Sequence, residues 1–286
     1  MNAYDVAVRI AGGDRFQDLT RPTKALAKNH HYRIWRDGSS VLLKVYGTAA
    51  RERRESHAIE ALRGIPGIPV KLDGDSEGEL PWALFEDPGQ WSIGSLPGNP
   101  DAALRAGAVL RAVHESDPTR LSNLSRGIDA EWVDIDHAAT MRRLARYRRR
   151  LGIDAELYAA AAAVRPPEAS EPRAAHTDPT PEHFVIAEAG PVTLIDWEWA
   201  TLAPPEWDLS KAVWLLRARS DPVAAQALQE GYGSTLDPTQ MNRWVVYHAA
   251  MLLVYEAEQL MSDSGADSFA DTVAQLRMAV EAEAEQ

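Results

Sequence analysis

Apolar positions along this chain follow two rhythms, and the change comes near residue 86. Before it, Tyr32-Arg33-Ile34-Trp35 alternates, Arg36-Asp37-Gly38-Ser39 supplies an Asp-Gly turn, and Val41-Leu42-Leu43-Lys44-Val45-Tyr46 returns as a strand. In the core-facing register of that strand, Leu43 and Val45 share one face, and Leu42 and Lys44 the other. Ala49 to Arg63 carries Ala58, Ile59 and Leu62 at helical spacing and stops at Gly64. Pro66-Gly67-Ile68-Pro69 is a break, Trp82-Ala83-Leu84-Phe85 a short buried strand, and Glu86-Asp87-Pro88-Gly89-Gln90 a turn or linker.

After that linker the period becomes helical. Helices are expected over Ala102 to His114, Arg142 to Leu151 and Ala155 to Val164. Arg165 to Pro172 is Pro-rich and reads as an exposed linker. Phe184 to Ile186 and Val192 to Ile195 are short strands joined through Ala189-Gly190-Pro191. From Trp207 onward the pattern is mostly helical. Trp244 to Met261 is apolar nearly all round, as a buried helix is, and Phe269 to Glu285 keeps Val273, Leu276 and Val280 on one face. The outline is α+β. Residues 1–86 form a strand-rich lobe, 87–99 a hinge, and 100–286 a mostly helical lobe with a polar hairpin inside it. Ligand sites favour such junctions, which makes Glu86 and Pro88 at the hinge candidates to border a bound nucleotide.

Composition narrows the chemistry. With 286 residues, 45% hydrophobic and 25% charged, the chain is an ordinary globular one. It has no cysteine, which excludes disulfides, thiolate nucleophiles and Cys-ligated zinc, and suits a cytoplasmic setting. No signal peptide and no membrane-spanning stretch is expected. A net charge of −12 argues against a nucleic-acid partner and for cationic small molecules. The arginine run from Arg142 to Arg150 then reads as a solvated helix face.

The chemistry-bearing stretch is His176-Thr177-Asp178-Pro179-Thr180-Pro181-Glu182-His183, followed by Leu194-Ile195-Asp196-Trp197-Glu198. One aspartate lies in a polar, Pro-rich turn and the other ends an apolar run. That arrangement suits phosphoryl transfer, with Asp178 receiving or orienting a hydroxyl and Asp196 holding magnesium. Lys44 lies mid-strand, where a charge needs a partner. It is the candidate cation for the phosphates, fixed by Glu55 on the next helix, with Glu52 and Glu60 as competitors. His176 braces the turn, and Asp208 in Trp207-Asp208-Leu209 opens a helix and can reach back to it. Glu198, Glu256 and Glu258 are candidates for an acidic acceptor pocket. A metal hydrolase built on His176, Asp178, His183 and Asp196 is the competing reading.

His176-x-Asp178, the five-residue step to His183, Ile195-Asp196-Trp197-Glu198 and Trp207-Asp208-Leu209 resemble the aminoglycoside phosphotransferases and related small-molecule kinases. Leu42-Leu43-Lys44-Val45, Arg54-Glu55 and Leu110-Arg111-Ala112-Val113-His114 match more loosely. The resemblance implies a protein-kinase-like bilobal fold, ATP or GTP with Mg2+, and transfer of the γ-phosphate to a hydroxyl of a small molecule such as an aminoglycoside-like antibiotic. A kinase-shaped binding protein without turnover is the alternative. Where the family has asparagine five residues after the catalytic aspartate, this chain has His183, whose imidazole suits zinc, copper or nickel better than magnesium; it is a second candidate metal ligand beside Asp196, or only hydrogen-bonds Asp178 or the phosphates. The phosphate-covering loop Ala27-Lys28-Asn29-His30-His31 lacks glycine, leaving Lys28, His30 or His31 to contact phosphate.

Overall fold

The computed structural model describes residues 2–20, 29–123, 127–187, 190–259 and 269–285. The N-terminal region is a five-stranded antiparallel sheet, in the order β1 (Arg15–Asp18), β2 (Asn29–Arg36), β3 (Ser39–Tyr46), β5 (Trp82–Glu86), β4 (Lys71–Asp75). The β2–β3 hairpin turns at Asp37-Gly38, both at positive φ (50° and 80°), as a two-residue hairpin loop requires. Its register puts Tyr32 opposite Leu43 and His31 opposite Lys44. Leu43 and Val45 then pack with Ile34 against helix α1 (Ala3–Ala11), through Val6, Ala7 and Ala11. Helix α2 (Ala49–Ala61), N-capped by Thr48, covers the opposite face with Ala58 and Ile59.

The remainder is largely helical: α3 (Pro100–His114), α4 (Ala130–Tyr147), α5 (Ala155–Ala163), α6 (Pro205–Ala218), α7 (Pro222–Tyr232), α8 (Pro238–Gln259) and α9 (Ala270–Ala284). Short strands lie among them. β6 (Trp91–Ser92), β8 (Phe184–Ile186) and β9 (Val192–Leu194) form one sheet, and β7 (Arg173–Ala175) pairs with β10 (Thr201–Ala203). These two small sheets carry the loops that hold both aspartates. Helices α3 and α7 meet backbone to backbone. A Cβ on Gly107 would lie 1.9 Å from the Leu228 carbonyl, and one on Gly231 would lie 1.8 Å from that of Leu104.

Several elements differ from expectation. The helix expected from Arg142 begins at Ala130, N-capped by Asp129, and ends at Tyr147. Its buried stripe of Val133, His137, Met141 and Leu144 is interrupted by polar residues, which hid the period. α1, with Ala3, Val6, Ala7 and Ala11 buried at helical spacing behind an Asn2–Asp5 capping box, was not anticipated, and β1 and β4 are short and mostly exposed. β4 in particular is a mostly exposed edge with an irregular register between Lys71 and Asp73. Ala189 of the β8–β9 connection and Met261 of the last buried helix lie outside the described residues. Trp244, Val246, Tyr247, Ala249, Ala250, Leu253 and Val254 of α8 are all buried, as its all-round apolar character demands. Among the described residues, no helix is long and apolar enough to cross a membrane.

Candidate active site

A cavity of about 700 Å³ is lined by Lys44, Glu55, Asp178, His183, Asp196 and Glu198, and also by Glu86 and Pro88. Residues more than a hundred positions apart in the chain thus share one space. The hairpin register sends Lys44 and Leu42 to this side, while Leu43 and Val45 enter the core. The Lys44 ammonium is almost fully buried. It lies 2.6 Å from Glu55 Oε2 and 2.5 Å from Asp196 Oδ1. Burial works against its charge, but the Asp196 and Glu55 carboxylates outweigh it, so the lysine holds its proton above the usual range. Of its competitors, Glu52 pairs with Lys71 at 2.8 Å, and Glu60 pairs with Arg63 on the surface. Glu55 is therefore the lysine's helix partner.

Asp196 sits at φ 70°, a left-handed conformation uncommon outside glycine and asparagine. Burial raises its carboxyl, yet Lys44 and then His183 pull it well below the usual carboxylate range. The next two residues are anchored by the same N-terminal unit. Trp197 N–H donates to Glu55 Oε1 at 3.1 Å, and Glu198 accepts from Arg51 and from Asn29, both at 2.9 Å.

Asp178 lies on a turn fixed from three sides. His176 Nε2 donates to the Ile195 carbonyl at 2.9 Å, and its Nδ1 accepts the Asp178 N–H at 3.2 Å. Burial brings this ring down to about 4, so it is neutral and one proton suffices for both bonds. Asp208, fully buried on α6, accepts the N–H groups of His176 (2.7 Å) and Thr177 (2.8 Å) and pairs with His114 Nε2 (3.1 Å). Tyr232 Oη lies 2.9 Å from the other nitrogen of His114. Thr177 is β-branched and held at φ 64°. Its hydroxyl donates to Trp199 O at 2.8 Å and its carbonyl accepts from Trp207 Nε1 at 3.0 Å, so surrounding bonds sustain a strained conformer.

Two features were not read from the sequence. Lys211 Nζ lies 2.7 Å from Asp178 Oδ1. Burial raises the Asp178 carboxyl, but Lys211 and then His183 leave it below the usual 3.8. A signal existed: Lys211 follows Asp208 by three, which places it on the same helix face. After β5, buried Arg33 grips Asp87 (2.5 and 3.1 Å) and the Gly89 carbonyl (2.6 Å), with Ser40 on the same carboxylate.

Some expected site residues fall elsewhere. Glu256 and Glu258 do not line the cavity, because the turn of α8 that bears them presents Tyr255 instead. Glu258 pairs with Arg143 on α4. Glu198 does line it, but as the partner of Arg51 and Asn29. His31 lines the cavity, and burial, followed by the nearby Lys44, lowers it to about 4. It therefore offers a phosphate a hydrogen bond and no charge. His30 is not in the lining, and Ala27 and Lys28 lie outside the described residues. The metal-hydrolase reading fails on geometry. Both nitrogens of His176 are committed to backbone, and among the described residues no three or more His, Asp or Glu side chains are grouped to hold a metal.

The model of the phosphotransferase enzyme family, APH, matches residues 20–244. The chain belongs to this family. No curated protein matches it in sequence. Among solved structures, a thermostable mutant of aminoglycoside phosphotransferase APH(4)-Ia, in ternary complex with ADP and hygromycin B, aligns over 99% of both chains. That alignment has a TM-score of 0.71 and 14% identity. Spectinomycin phosphotransferase APH(9)-Ia, in complex with ADP and spectinomycin, aligns over 99% of this chain and 98% of its own, at TM-score 0.63 and 14% identity. Macrolide 2'-phosphotransferase MphH from Brachybacterium faecium aligns over 95% and 96%, at TM-score 0.64 and 18% identity. The phosphotransferase therefore has the family's kinase-like fold, with the sheet in its N-terminal region and helices in its C-terminal region.

The donor set of this phosphotransferase can be weighed against a metal. His183 Nδ1 is 2.7 Å from the Asp178 carbonyl, which can only accept, so Nδ1 carries the hydrogen. Nε2 lies 3.4 Å from Asp196 Oδ2. The Asp196 carboxylate fits a magnesium held sparingly, with its remaining positions left to water and phosphate oxygens, whereas the imidazole nitrogen of His183 is a donor better matched to zinc, copper or nickel.

Proposed function

We propose that this protein transfers the γ-phosphate of ATP or GTP to a hydroxyl group of a small molecule. The observation that carries the reading is the convergence of Lys44, Asp178 and Asp196 on one cavity. Phosphoryl transfer asks a protein mainly to position groups and to neutralise charge. In this reading Lys44, oriented by Glu55, holds nucleotide phosphates. Asp196, with His183 as the candidate second ligand, would hold magnesium, whose charge would offset that of the phosphates. Residues 87–99 act as the hinge between a lobe of residues 1–86 and one of residues 100–286. Glu86 and Pro88 border the base there, and the Arg33–Asp87 pair stiffens the hinge.

Asp178 orients the acceptor hydroxyl and takes its proton. Its depressed pKa makes it a weak base, which suits a loose transition state in which that proton leaves late. Lys211 fixes the carboxylate's direction, leaving one oxygen for the hydroxyl. His176 and Asp208 hold the backbone of the turn and do not touch the reactants.

Incubation with Mg-ATP or Mg-GTP and a panel of hydroxyl compounds, followed by mass spectrometry, tests the reading. A product heavier by one phosphoryl group, absent with Asp178→Asn, supports it. Nucleotide binding with no transfer to any acceptor would favour the binding protein without turnover.

A further inference from the structure

We propose that the acceptor is a hydroxyl compound with a flat or apolar ring face and at most one charge, and not a polycation. This deepens the phosphotransferase reading and rests on it. An acidic chain invites the opposite expectation, but all of the cavity's carboxylates except that of Glu86 are already engaged with a cation. Six acids line it: Glu55, Glu86, Asp178, Glu182, Asp196 and Glu198. Asp178 holds Lys211 at 2.7 Å, Glu198 holds Arg51 at 2.9 Å, and Glu182 holds Arg219. Glu55 and Asp196 share Lys44, so the surplus negative charge lies at Asp196, the position read as the metal's. Glu86 ends β5 at the hinge, on the nucleotide side. An amine entering here would have to displace an internal ammonium or guanidinium, exchanging one ion pair for another while losing its own hydration.

What the cavity wall offers instead is aromatic. Trp199 and Tyr255 both line it, and they are 48% and 49% exposed. Trp199 is tied to the turn of Asp178 through the Thr177 hydroxyl on its carbonyl. That bond ties the Trp199 backbone to the residue preceding Asp178, and the Trp199 side chain lines the cavity that an acceptor presenting its hydroxyl to Asp178 would enter. The Arg51 guanidinium, already paired with Glu198, stands 5.8 Å from the Trp199 ring centroid. Ring faces of this kind favour stacked or edge-on contact with a planar or apolar partner.

The test is calorimetric titration of the full chain, saturated with Mg-AMP-PNP, at low and high potassium chloride. The probes are neutral 4-nitrophenyl β-D-glucopyranoside and polycationic kanamycin. The glycoside is expected to bind about tenfold more tightly than kanamycin, with little salt dependence. Trp199→Ala should weaken it about tenfold, and Trp199→Phe should restore most of the loss. Tighter binding of kanamycin that fades with salt overturns the proposal, as does indifference of the glycoside to Trp199→Ala. If AMP-PNP binds and the glycoside does not, this inference alone falls. If AMP-PNP itself does not bind, the underlying phosphotransferase reading falls with it.

Discussion

Asp208→Asn replaces one oxygen of a fully buried carboxylate with an NH2 group and changes little else in shape. In the wild type Oδ2 accepts from His176 N–H and His114 Nε2, while Oδ1 accepts from Thr177 N–H. An amide has one oxygen. Placed at the Oδ2 position, it keeps two bonds and points its own N–H groups at the Thr177 N–H. A buried donor left unmet costs about 1–3 kcal/mol, and the two surviving bonds lose their charge assistance, about 1 kcal/mol each. The amide escapes the cost of burying a charge, which offsets part of this. A net loss of about 3 kcal/mol follows, or about 6–10 °C in melting temperature for a chain of this size.

The pH dependence gives an independent check. Burial raises the Asp208 carboxyl, but His114 by hydrogen bond and charge, helped by His176, leaves it lower than its ordinary 3.8. A group with a depressed folded pKa stabilises above its unfolded value and loses that contribution as pH falls through the folded one. The gap between wild type and variant should therefore be full at neutral pH and narrow below about pH 4. Turnover should drop as well, because Thr177 is released from its left-handed conformation and carries Asp178 with it. Melting by circular dichroism between pH 3 and 8, with parallel phosphate-transfer kinetics, reads both effects. A variant that melts with the wild type and turns over normally would refute the idea that this carboxylate holds the turn.

Four further outcomes are expected. Asp178→Asn should reduce kcat about 10²- to 10⁴-fold with unchanged nucleotide affinity, measured by coupled assay and titration. Because the Asp178 carboxyl lies below 3.8, the acidic limb of kcat/KM should fall below about pH 4, and transfer should be flat through neutrality. Lys44→Met leaves Glu55 buried without its cation, and should cost about 3–5 kcal/mol, seen in urea unfolding; adding Glu55→Gln should recover part of it. Gly231→Ala drives a methyl into the Leu104 carbonyl and should cost about 1–3 kcal/mol or more, with a lower melting temperature in scanning calorimetry.

The sequence made the hairpin, the α2 helix and the Lys44–Glu55 pair legible because each is local. An Asp-Gly turn fixes register, and register decides which face Lys44 takes. Asp178 and Asp196 stood out because two aspartates one hairpin apart occur in order with Lys44 and Asp208, and His176 because it precedes Asp178 by two in the same turn. The failures were long-range. Glu256 and Glu258 sit on α8, and nothing local reveals that Arg143, over a hundred residues earlier, receives the second of them. Arg51 is an ordinary exposed-helix residue in sequence, and only the packing of α2 against the 197–199 turn makes it the partner of Glu198. The start of α4 was obscured because its buried stripe passes through His137, a polar residue at an apolar position.

Asp196, Trp197 and Glu198 are each gripped by the β2–β3–α2 unit: by Lys44, by the Glu55 carboxylate, and by Arg51 with Asn29. Three consecutive residues therefore act as a mechanical clutch between the sheet and the helices. In the proposed reading, rocking of one lobe against the other would carry the Asp196 carboxylate along, so that the opening angle and the placement of a bound ion would form a single coordinate.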